Sequence, residues 1–201
     1  MSAFKVPNHQ LLQAGLGLME QNGQPLQRIE AKGRAMVYRT TGGKTVRVRT
    51  CNDHVLVAVA ESPNPEAKLN IEGTDSILIV MPETPRTPGP VMAYFIPTAL
   101  VVEEVRSNHR NWLASNPSTK GENRTWAIWF DDDGPAKASG YSKKWASYRL
   151  DGSANTRTFV NGREDLQTGS TTLGEVIADA KRRIAAVAGI PETAVKVTLD
   201  I

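Results

Sequence analysis

An α/β (α+β) fold with a mixed central sheet flanked by helices is predicted for this chain of 201 residues by three observations. Short valine- and isoleucine-rich runs of strand length recur through the first 130 residues, one pair of them closes into a hairpin at Gly42-Gly43, and helical-period segments stand before and after them. Nothing resembles an internal repeat.

From Asn8 to Asn22, apolar residues at Leu11, Leu12, Ala14, Leu16, Leu18 and Met19 form a helical stripe, with Asn8 as the predicted cap and Gly23 as the stop. Residues 24–30 lead into a hairpin over 34–50, whose Thr40-Thr41-Gly42-Gly43 turn is expected to supply positive φ values. Its second arm alternates valine with arginine, so once the valine face is buried each guanidinium has to reach water or an anion. The apolar runs 54–60 and 75–81 read as central strands, separated by the proline-containing loop 62–73. Prolines crowd 82–90, after which 91–96 reads as a further strand and Pro97 opens a helix towards Trp112 and Leu113. Residues 125–130 form another strand, and 143–150 a short amphipathic helix with Trp145 and Tyr148 turned inward.

The domain plan that follows is a core over 1–150, a polar loop or linker over 151–169, and a helix plus strand over 170–201. In that tail, Thr172 to Glu175 has capping-box spacing, and Val195, Val197, Leu199 and Ile201 alternate along one side of a strand. One helix and one strand do not make a stable unit alone, so the tail is expected to dock on the core or to pair two subunits as a homodimer.

Formal net charge is +3, unevenly placed. Residues 1–50 carry eight Lys or Arg against two acids, while 51–100 carry two against six. Such segregation suits a polyanion on one face. The candidate phosphate contacts are Lys32, Arg34, Arg39, Lys44, Arg47 and Arg49. A single cysteine, Cys51, allows no intramolecular disulfide and suits a reducing, cytoplasmic setting. No signal-peptide core and no membrane-length apolar run is present, so no membrane partner is expected.

Three other constellations carry less. Cys51, Asp53 and His54 are all metal donors, but their spacing fits no standard zinc site, and Asp131 to Gly134 lacks the alternation and distal glutamate of a calcium loop. No phosphate-binding glycine loop or nucleophile elbow occurs, so triad and P-loop chemistry fall away and no metal or cofactor is expected. The tryptophans Trp112, Trp126, Trp129 and Trp145 are read as core.

The order helix, hairpin, Ile-Leu-Ile-Val strand and Tyr94-Phe-Ile-Pro97 before a helix resembles the PD-(D/E)XK restriction-endonuclease-like superfamily, closest to its group I intron endonuclease branch. The resemblance covers about residues 8–113 and implies a nuclease-like core. It also places an acidic or amide residue and a lysine where this chain has Arg47 and Arg49, and an aspartate on a strand, 34–38, that has none. Arginine repels the Mg²⁺ such a site must hold. The resemblance therefore implies a nucleic-acid-binding domain with a degenerate site. The alternatives are a structural protein pairing through its C-terminal helix and strand, and a Mg²⁺ nuclease whose centre has migrated to Glu61 and Asp75.

Overall fold

The computed structural model describes residues 5–29, 36–118, 123–132, 138–159 and 191–196, with Ile177, Lys181 and Ala185. Two compact units divide the chain, Met1–Val160 and Asn161–Ile201. In the second, Ile177, Lys181 and Ala185 are helical and Glu192–Ala194 forms a 3-10 turn. The predicted strand there lies mostly outside the described residues.

The first unit is α+β. Helix α1 (Asn8–Gln21) precedes strands β1 (Leu26–Arg28), β2 (Val37–Thr40), β3 (Thr45–Thr50), β4 (Val55–Val59), β5 (Ser76–Pro82) and β6 (Val91–Pro97). Helix α2 (Thr98–Ser115), strand β7 (Thr125–Trp129) and the short helix α3 (Tyr141–Lys144) follow. Five strands form a mixed sheet in the order β1-β2-β3-β5-β6, antiparallel except for the parallel pair β3 and β5. Strand β5 sits inside it with six of seven residues buried, as a strand covered on both faces requires.

Alternation divides the sheet between two cores. Val46, Val48, Leu78, Val80 and Ala93 face Leu11, Ala14, Leu18 and Met19 of α1. Ile77, Ile79, Tyr94 and Ile96 face Val101 and Val105 of α2 together with Leu56, Trp126, Ile128 and Trp145. Each fully buried aliphatic of this kind contributes roughly 1.5–3 kcal/mol. Helix α1 approaches β5 closely because Gly15 has no side chain: a Cβ there would stand 2.3 Å from Val80 Cγ2.

Several expectations are corrected. Pro7, not Asn8, occupies the N-cap of α1, and Asn8 is already helical. In the hairpin turn only Gly43 takes a positive φ, +81°, because a three-residue connection closed by Gly43 N–H on Thr40 O needs just one such residue. Residues 26–28 add a short edge strand that their composition did not announce. The helix expected over 143–150 is split into α3 and a 3-10 turn at Ala146–Tyr148, with Trp145 buried between them.

The largest correction concerns β4, which is not a central strand. It leaves the sheet and pairs with β7 in a separate antiparallel ribbon. Its outer edge is closed by Asn70, whose side-chain Oδ1 accepts from Val59 N–H and whose backbone N–H donates to Val59 O, and by Arg49, which donates to Val57 O. The buried His54, at φ +53°, ties the ribbon to β5, with Nδ1 2.6 Å from Asp131 Oδ1 and Nε2 2.6 Å from Pro82 O. Residues 151–157 dock on the sheet and α1 rather than leaving them: Asn22 donates to Asp151 O, and the Thr156 hydroxyl and the Gly89 backbone bond in both directions.

Candidate functional site

The hairpin register sets the chemistry of the sheet. Val37 pairs with Arg47, Tyr38 with Val46 and Arg39 with Thr45. With Tyr38, Val46 and Val48 turned towards α1, alternation places Arg39, Thr45, Arg47 and Arg49 together on the opposite face. Arg39 and Lys44 are exposed, Arg47 and Arg49 half-buried. Lys32 and Arg34 lie outside the described residues.

The two half-buried arginines do not simply extend into water, as the sequence suggested. Arg49 Nη2 donates to Val57 O at 2.8 Å, and Arg47 Nη2 to Glu72 O at 3.3 Å. Both acceptors are backbone carbonyls of elements folded across this face, a long-range arrangement with no local signature in the hairpin. Arg47 Nε remains buried without a partner. Burial, and then the neighbouring Arg49 charge, lower the pKa of Arg47 below the usual arginine value.

Among the described residues, no carboxylate forms an ion pair with Arg39, Lys44, Arg47 or Arg49. The acids nearby are otherwise engaged. Asp75 accepts from both the backbone N–H and the hydroxyl of Thr45, which, with the Lys44 charge, hold its carboxyl below the usual range. Glu72 accepts from Arg106 and from the Leu69 N–H. Among the described residues, the arginines of this face therefore carry no paired carboxylate.

Metal chemistry finds no corresponding assembly. Among the described residues, no three His, Cys, Asp or Glu side chains gather where an ion could sit. Cys51, Asp53 and His54, adjacent in sequence, part company: Cys51 is buried with its thiol pushed up to about 12, first by burial, Asp53 pairs with Arg86, and His54 faces Asp131 and Pro82. Asp132 pairs with Lys143.

The tryptophans divide. Trp126 and Trp145 are core, as expected, but Trp129 is half-buried and Trp112 is 37% exposed. Trp112 follows His109 by one helical turn, so its placement follows from the edge of the apolar stripe of α2, which ends at Val105 and His109. No helix among the described residues is long and apolar enough to cross a membrane. No family model, no curated protein and no solved structure matches this chain.

Proposed function

We propose that this chain binds nucleic acid without cleaving it, through the arginine face of the β2–β3 hairpin. The observation that carries this reading is a set of three arginines on one sheet face with, among the described residues, no carboxylate paired to any of them. Residues two apart on a strand stand about 7 Å apart, so the Arg47 and Arg49 charges repel by about 0.6 kcal/mol in water and about 2 kcal/mol at an effective protein dielectric. A backbone phosphate seated beside them relieves that repulsion. Arg39 extends the same face towards the exposed turn, and Lys44 adds a further charge on the turn itself, where a strand of phosphates can pass. The resemblance to PD-(D/E)XK domains agrees with binding over cleavage, because arginines stand where its catalytic pair belongs.

The test is anisotropy of labelled duplex and single-stranded DNA across a salt series. Binding is expected to fall with salt with a log–log slope near −3 for about three phosphate contacts on duplex. The double variant Arg39→Gln, Lys44→Gln should flatten that slope by about two. Absence of binding at low salt, or a slope the variant leaves untouched, rules the reading out.

A further inference from the structure

Between α2 and the edge of β7 that faces away from β4 lies a cleft of about 170 Å³, lined by Asn108, His109, Trp112, Asn123, Ala127 and Trp129 among others. One wall is aromatic. The His109 ring stacks on Trp126 with centroids 4.1 Å apart and planes at 14°, and Trp112 lies nearly parallel to it, at 5.9 Å and 16°. The stack ends at Trp112, whose exposure leaves the last ring surface open.

The cleft also holds polar groups that the fold leaves without partners. His109 is 4% exposed, and its Nε2 is buried with no hydrogen bond. Burial lowers the His109 pKa and so favours the uncharged ring at the centre of the stack. The second source is the edge of β7. Trp129 N–H donates to Ala138 O and Thr125 N–H to Asn123 Oδ1, both directed away from β4. By the alternation of an antiparallel ladder, Ala127 midway between them directs its N–H and C=O the same way. Neither group has a partner among the described residues. A donor and an acceptor side by side on a backbone edge, beside an open aromatic face, match the edge and the faces of one planar heterocycle. The small volume suits a single ring system rather than a drug-sized ligand.

We infer that this cleft binds a nucleobase, stacked on Trp112 and hydrogen-bonded by its edge to the backbone of Ala127. The inference stands apart from the arginine face, because a nucleoside without phosphate suffices to occupy the site. The base comes either from a free nucleoside or from an unpaired position in a strand.

Calorimetric titration of the full chain with adenosine and with a short oligodeoxyadenylate separates these sources. Saturable adenosine binding that Trp112→Ala weakens about tenfold supports the site with a free nucleoside, since stacking of one base is worth roughly that factor. Oligonucleotide binding weakened to the same degree, with adenosine silent, supports it with a base presented on a strand. Trp112 is exposed enough for its truncation to leave the fold intact, and His109→Phe, which keeps an aromatic ring beneath Trp112, should leave the affinity for the same probe unchanged. If neither probe responds to Trp112→Ala, the cleft inference fails, and salt-dependent DNA binding that needs Arg39 and Lys44 would leave the arginine face standing.

Discussion

Arg49 and Arg39 are two residues of one chemistry in very different circumstances. Arg39 is exposed and its side chain makes no hydrogen bond or ion pair among the described residues, so Arg39→Gln should change unfolding free energy by less than about 0.5 kcal/mol. Arg49 closes the carbonyl of Val57, and Arg49→Gln should cost about 1–3 kcal/mol, read as a lower urea midpoint. Equal midpoints for the two variants would show that the Val57 bond contributes nothing. Loss of DNA affinity in an Arg47 and Arg49 double variant is thus ambiguous by itself, and the exposed pair Arg39 and Lys44 makes the cleaner probe. His109 sets a pH dependence. Its folded pKa lies below the ordinary 6.5, so the unfolded chain takes the proton first as pH falls. The stability gained from the neutral ring is complete above 6.5 and drains away as pH drops from there towards the folded value. Wild type should therefore lose more stability between pH 7 and pH 5 than His109→Phe, measured by denaturant midpoints at both pH values. Parallel losses would place the acid sensitivity elsewhere.

Among the elements, α1 contains its own controlled comparison. Gly15 faces Val80 with no room for a methyl group, while a Cβ at Gly17 meets nothing within 4 Å. Gly17→Ala should stabilise by up to about 1 kcal/mol through helix propensity, whereas Gly15→Ala, despite the same propensity gain, should destabilise by about 1–3 kcal/mol through overpacking against a stiff, buried valine. Thermal melts of the two variants should move in opposite directions, and a rise in both would mean that α1 rides further from the sheet. The helix itself was legible in the sequence, since its stripe from Leu11 to Met19 is the buried one, but nothing in that stripe distinguishes the two glycines. The same limit explains β4. Its run from Val55 to Ala60 is apolar at every position, which is how a strand buried on both faces reads, and hydrophobicity names no pairing partner. What decided the outcome was β7, seventy residues on, and the ring of His54, whose two nitrogens both face acceptors on other elements. The arginine face was legible as a set, because period-two alternation fixes which hairpin residues share a side. Its carbonyl partners at Val57 and Glu72 were not, because they arrive from loops and strands that no local pattern locates.

At the scale of the whole molecule, a cationic face predicts a stability that depends on its surroundings. Anions that bind the folded chain alone raise its melting temperature by mass action, whereas monovalent salt only screens. Adding a short DNA duplex at low salt should raise the midpoint, and Arg39→Gln with Lys44→Gln should abolish most of that rise. An unchanged midpoint at saturating duplex would contradict preferential binding to the native state. The ribbon of β4 and β7 has a consequence of another kind. An isolated two-stranded ribbon normally offers a neighbouring molecule two open rows of amides and carbonyls. Here the row along β4 is occupied by Asn70 and Arg49, so one cationic side chain doubles as a guard against sheet growth between copies of the chain. A substitution at Arg49 that folds correctly would still expose that row, and its signature would be solubility that declines with protein concentration rather than any change within the single molecule.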